Sequence, residues 1–120
     1  EDLVRFDGNG FTLFFDGSAA GVPEGLDLDA AHNLGGGNVA LGLSFDGSGS
    51  LPGVSFADED VLEYDLFTGT WEIVYDGSAQ HAAWGGANLD AVALPEPDAL
   101  VLLVAGAASL LVLGRRRIRA

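Results

Sequence analysis

The sequence predicts a mainly β fold of short antiparallel strands in repeats of about 60 residues, followed by one C-terminal transmembrane helix. Three observations predict it. Eighteen glycines punctuate short apolar runs, a pattern of strands and tight turns rather than helices. Three ordered segments recur later in the chain at offsets of 58, 60 and 61 residues. An uncharged run, Ala99 to Gly114, precedes Arg115, Arg116, Arg117 and Arg119.

The strands follow in order. Leu3 to Phe6 is predicted as the first and ends at the turn Asp7-Gly8-Asn9-Gly10. Phe11 to Phe15 is the second and ends at Asp16-Gly17-Ser18. Leu26 to Ala30 alternates leucine and aspartate, the period of a half-buried strand. Gly35 to Asn38 reads as a turn, and Val39 to Phe45 as the fourth strand, ending at Asp46-Gly47-Ser48. A polar, flexible link through Ser50 and Pro52 is expected next.

The pattern then returns. Glu59 to Asp65 (EDVLEYD) echoes Glu1 to Asp7 (EDLVRFD), and Trp71 to Ala79 (WEIVYDGSA) echoes Phe11 to Ala19 (FTLFFDGSA). Asn88-Leu89-Asp90-Ala91 echoes Asp27-Leu28-Asp29-Ala30, which predicts a third strand there. Residues 1–58 are thus a first β-repeat and 59–94 a second, truncated one. Such a unit buries little apolar area alone and leans on neighbours. It is either propeller-blade-like within a longer array or part of a small two-sheet sandwich.

Charge narrows the partners. Eighteen acidic side chains stand against five arginines and no lysine, a net charge of −13. Ahead of the arginine cluster Arg5 is the only cation. Such a surface repels nucleic acid and anionic lipid. The chain has no cysteine, hence no disulfide framework and no thiolate chemistry.

No motif points to catalysis. There is no G-x-S-x-G, no H-E-x-x-H and, without lysine, no phosphate-binding loop of the Walker type. The Asp-Gly-Ser corners at Asp16, Asp46 and Asp76 are the weak metal candidates, since clustered carboxylates on turns could hold calcium through side-chain and carbonyl oxygens. They match no EF-hand spacing, and Asp-Gly is also what a hairpin turn requires. His32 and His81 stand in unrelated segments and read as ordinary loop or surface histidines. Trp71, Trp84, Tyr64 and Tyr75 could form a sugar-stacking platform. At period two, however, Trp71 and Tyr75 share a strand face, as core residues do.

The last quarter carries the functional signal. As a helix the 16-residue run spans about 24 Å, a little under a hydrocarbon core of about 30 Å, which snorkelling arginines and local thinning accommodate. Positive charge favours the cytoplasmic side and places the rest of the chain outside. Pro95 and Pro97 hold the preceding backbone extended. Ala105 to Ser109 form a small-residue patch suited to close helix approach.

Pro95-Glu96-Pro97, the span after it and the arginine cluster together resemble the PEP-CTERM sorting signal of Gram-negative, exopolysaccharide-making bacteria, over residues 95–120 only. A Gram-positive LPxTG signal fails at Pro97 and Asp98, where threonine and glycine belong. The resemblance implies recognition by an exosortase, a membrane-embedded protease–transpeptidase. It implies a non-catalytic product exported to the cell surface or an exopolysaccharide matrix after passing through the inner membrane. Pro95, Glu96 and Pro97 would be the sorting motif, and Arg115, Arg116 and Arg117 would fix membrane orientation. A secretion signal is expected ahead of Glu1. The alternative is a membrane-anchored carbohydrate- or calcium-binding β-module.

Overall fold

The computed structural model describes residues 1–34 and 39–92. The fold is mainly β and every strand pairing is antiparallel. Strands β1 (Leu3–Phe6) and β2 (Phe11–Phe15) form a hairpin. Strands β3 (Leu28–Asn33), β4 (Ala40–Phe45), β7 (Val61–Asp65) and β8 (Thr70–Tyr75) form one four-stranded sheet in that order. Between β4 and β7 lies a small hairpin, β5 (Gly49–Leu51) and β6 (Val54–Phe56). A one-turn helix α1 (Gly77–Gln80) and a 3₁₀ turn (Ala82–Trp84) follow β8.

The predicted strands at Leu3–Phe6 and Phe11–Phe15 form with those bounds, and Val39–Phe45 forms from Ala40. Three expectations are corrected. The third strand lies later than Leu26–Ala30, because Ala30 to Asn33 pair with Leu41 to Ser44 of β4. The link through Ser50 and Pro52 is not loose. Pro52-Gly53 turn β5 into β6, with Gly53 at φ 83°, the region a type II turn reserves for glycine. That turn carries Leu51 and Phe56 into the core. Finally, Asn88 to Ala91 is no strand; Leu89 bonds outward, its N–H to the Asp58 carbonyl and its own carbonyl to Ser44 Oγ at 2.9 Å.

The sequence echo has a structural counterpart. In the first hairpin Leu3 pairs with Phe15 and Val4 with Leu13, so Phe14 is the extra residue of a bulge. In the β7–β8 hairpin Val61 pairs with Tyr75 and Leu62 with Ile73, so Val74 is extra at the matching place. Asp7 Oδ1 accepts the N–H groups of Asn9 and Gly10, and Asp65 Oδ1 those of Phe67 and Thr68. The backbone N–H of Gly17 donates to Asp2 Oδ1, and that of Gly77 to Asp60 Oδ1. One hairpin design is therefore built twice, and the four-stranded sheet takes two strands from each side of residue 58.

The core lies between the first hairpin and one face of the sheet. Phe15, Ala20 and Val22 from the first repeat pack on Leu41, Leu43, Phe45, Leu62 and Trp71 of the sheet, with Leu51 and Phe56 closing one side. The Phe15 ring stands edge-on to Tyr64 at 5.3 Å and to Trp71 at 6.1 Å, a favoured aromatic arrangement. Trp71 Nε1–H donates to the Ala20 carbonyl at 2.9 Å, satisfying the one polar atom of a buried indole.

Candidate functional site

Pro95, Glu96, Pro97, the 99–114 span and Arg115 to Arg117 lie outside the described residues, as does the Gly35–Asn38 turn. Among the described residues no helix is long and apolar enough to cross a membrane.

The three aspartate corners act as turn ties. Asp16 Oδ1 accepts from Ala19 N–H and Ser18 Oγ, and Asp76 Oδ1 from Ala79 N–H and Ser78 Oγ. These donors hold the Asp16 carboxyl below its usual range, first through the Ala19 N–H and then the Ser18 hydroxyl. Asp46 and Asp27 exchange two bonds, Asp27 N–H to Asp46 Oδ1 and Asp46 N–H to the Asp27 carbonyl, both 3.0 Å. The three corners occupy separate turns, and among the described residues no three acidic or imidazole groups gather as a metal cage.

The histidines also stay apart. His81 is exposed; its Nδ1 accepts from Ala83 N–H and caps the 3₁₀ turn. His32 is not a loop residue but a half-buried member of β3, beside a cleft that also takes in Arg5 and Phe14. The Arg5 guanidinium stands 5.5 Å above the Phe14 ring.

The bulge separates the aromatic residues. The Trp71 and Tyr64 rings pack against each other in the core, tilted by 43° with centroids 4.6 Å apart. Tyr75 does not share their face, contrary to the period-two expectation. Its partner Val61 points away from Leu62, and the extra residue Val74 reverses the alternation after Ile73. Tyr75 instead lines a concavity of about 410 Å³ with Val61, Trp84, Leu89, Val92 and Glu59. Its walls are mostly hydrocarbon. Glu59 is 3 % exposed, and among the described residues its Oε2 has no hydrogen-bond partner. Sequence reasoning missed this feature. The one signal for it was the echo of Glu1-Asp2 in Glu59-Asp60, which marks where the second hairpin begins.

A second apolar surface lies at the opposite end. Val4, Phe6, Phe11 and Leu13 are between 58 and 74 % exposed. Their pairing, Val4 with Leu13 and Phe6 with Phe11, puts all four on one face of the β1–β2 hairpin, and the two phenyl rings touch at 5.0 Å. Four large apolar groups bare on one side of a two-stranded ribbon form a surface suited to contact rather than catalysis.

Acidic groups crowd the tip of the second hairpin. Glu63 stands directly across from Glu72. Desolvation first, then the Glu72 and Asp65 carboxylates, push the Glu63 carboxyl up from its ordinary 4.5. Asp65 moves the other way, held low by the N–H groups of Thr68 and Phe67.

No family model, no curated protein and no solved structure matches this chain.

Proposed function

We propose that the chain is an exported, non-catalytic protein of the cell surface or extracellular matrix. Its C-terminal tail would be a PEP-CTERM-like signal processed by an exosortase-type membrane protease–transpeptidase. The observation that carries this reading is the order of three parts: Pro95-Glu96-Pro97, the uncharged Ala99–Gly114 run, and the arginine cluster. Each part has a physical task. The prolines present extended backbone to an enzyme outside the hydrocarbon. The run, as one transmembrane helix, holds that backbone at a fixed depth. The arginines keep the other end in the cytoplasm.

The body fits display rather than chemistry. Its corner aspartates tie turns, and its bare surfaces are apolar ribbon and concavity. We read the four-stranded sheet as blade-like. The strand order β3-β4-β7-β8 takes its last two strands from the second repeat, so the second hairpin completes the sheet begun by the first repeat.

The test is the intact mass of the mature protein from its native host, with and without the exosortase gene. Loss of the tail near Pro95–Pro97 only when the enzyme is present is the expected result. Persistence of the arginine end in both strains would reduce the tail to a simple anchor and overturn the sorting role.

A further inference from the structure

We propose that this chain assembles head to tail with a second copy of itself, the bare β1–β2 face of one copy docking on the Tyr75 end face of the next. The argument rests on the internal repeat. The counterparts of Val4, Phe6, Phe11 and Leu13 in the second hairpin are Leu62, Tyr64, Trp71 and Ile73. Those four are covered: Leu62 and Trp71 belong to the buried core, and Tyr64 and Ile73 pack against it. Phe15 on the other side of the first hairpin packs on Tyr64 and Trp71, and the Ala20 carbonyl of the loop after it takes the Trp71 indole N–H. Leu51 and Phe56 of the β5–β6 hairpin close the side next to β8. One face of this ribbon thus already packs, inside a single chain, on the preceding hairpin of the same design. In the first hairpin the same face is equally apolar and, among the described residues, mostly exposed, with Val4 and Phe6 at the edge of the cleft beside His32.

The complementary surface exists at the far end. Tyr75 is the counterpart of Phe15 and Val74 of Phe14. Val74 is exposed, and Tyr75 lines the apolar concavity together with Val61, which is the counterpart of Leu3. The exposed Gln80, at the end of α1, corresponds to Ala20, whose carbonyl receives the Trp71 indole N–H. Repeating the observed packing once more places Phe6 and Phe11 of one copy on Tyr75 of the next. The acidic pair does not obstruct it. Glu63 and Glu72 correspond to Arg5 and Thr12, which remain exposed at the hairpin tip in the packing already present. A contact between two different surfaces is heterologous, so it propagates as an open array unless the rotation closes. Repeat units stack by the same nearest-neighbour logic.

The chain has no cysteine, which permits a directional cross-linking test on the full chain in detergent. Phe11→Cys and Gln80→Cys are made separately, mixed, and treated with a short bismaleimide. A cross-linked dimer is expected in the mixture and not in either variant alone, with a ladder from the double variant. Adding Leu13→Asp to Phe11→Cys puts a charge in the apolar contact, and the dimer yield should fall by about tenfold or more. Leu13 is exposed, so the fold should survive, as an unchanged near-ultraviolet aromatic signal, to which buried Trp71 contributes, would report. Three results overturn the proposal. Dimer from Phe11→Cys alone would mean hairpin-to-hairpin pairing. A yield insensitive to Leu13→Asp would mean association through the apolar tail. Absence of dimer in the mixture would mean that the face takes some other occupant.

Discussion

Replacing Gly77 by alanine puts a methyl group where the second hairpin has no room for it. An ideal Cβ at Gly77 would lie 2.7 Å from the Glu59 carbonyl oxygen and 2.7 Å from Glu59 Cγ. Rotation of the Glu59 side chain relieves the second clash but not the first, because the carbonyl is backbone. That backbone is pinned: Asp60 Oδ2 accepts from Ala57 N–H and Oδ1 from Gly77 N–H itself. Overfilling a packed site typically costs about 1–3 kcal/mol. Alanine returns about 0.4–1 kcal/mol by restricting the unfolded chain. The net expectation is a destabilisation of about 1–2 kcal/mol, a fall in Tm of about 5–15 °C for a domain this small. Thermal unfolding of the chain, followed by its tryptophan fluorescence, measures it. Gly86→Ala is the control, since no atom lies within 4 Å of the point where its methyl would sit, and it should stay within about 0.5 kcal/mol of the parent. Gly17→Ala repeats the test, because its Cβ would lie 2.5 Å from the Glu1 carbonyl and Cγ. A Gly77→Ala protein as stable as the parent would falsify the claim that close approach, rather than turn chemistry, requires glycine there.

Other expectations follow from the same packing. Phe45→Ala removes a ring that is 1 % exposed and touches both Phe56 and Trp71; urea titration should show a loss of about 3–5 kcal/mol. Trp71→Phe keeps most of the apolar volume but leaves the Ala20 carbonyl without its donor, at a cost of about 1–3 kcal/mol. Glu63→Gln removes a like-charge cross-strand contact and should stabilise the protein at pH 7 by about 0.2–1 kcal/mol. Because the folded Glu63 carboxyl titrates above 4.5, the folded state binds its proton more tightly. Its unfavourable contribution at neutral pH is therefore relieved as pH falls toward 4.5, and Glu63→Gln should flatten that part of the stability–pH curve. Asp7, Asp16 and Asp65, held below 3.8 by turn N–H donors, contribute stability that is present above 3.8 and lost as pH falls through their folded values. Acid unfolding of Glu63→Gln should therefore still occur, and a variant that stays folded well below those values would contradict the capping role. In the tail, replacing Arg115, Arg116 and Arg117 with glutamate should impair orientation and processing, read by intact mass; normal processing would contradict their proposed role.

Much of this was legible in the sequence because local chemistry dictates it. Asp7 and Asp65 announce their turns through side-chain bonds two and three residues along the chain, and such bonds depend on nothing distant. The β5–β6 hairpin escaped because Gly49–Leu51 and Val54–Phe56 are only three residues each, too short to display a period. The true start of β3 escaped because Leu26 to Ala30 alternate well on their own, while pairing with β4 fixes the register further on. The bulge at Val74 is the costliest omission. One extra residue moved Tyr75 from the core face to the opposite one, and with it the apolar concavity that a strict alternation hides.

The two hairpins also show why burial cannot be read from apolar character alone. Val4, Phe6, Phe11 and Leu13 match Leu62, Tyr64, Trp71 and Ile73 in pairing and bulge, and nearly in hydrophobicity, yet one set is bare and the other enclosed. What distinguishes them is position in the series. The second hairpin has Phe15 and the loop to Val22 beside it, and among the described residues the first has no such neighbour. A repeat that must lean on another leaves one face uncovered on each side of a two-hairpin series. The exposed phenylalanines of β1 and β2 are therefore what the repeat logic requires on the leading side of this pair, and the Tyr75 concavity is what it requires on the trailing one.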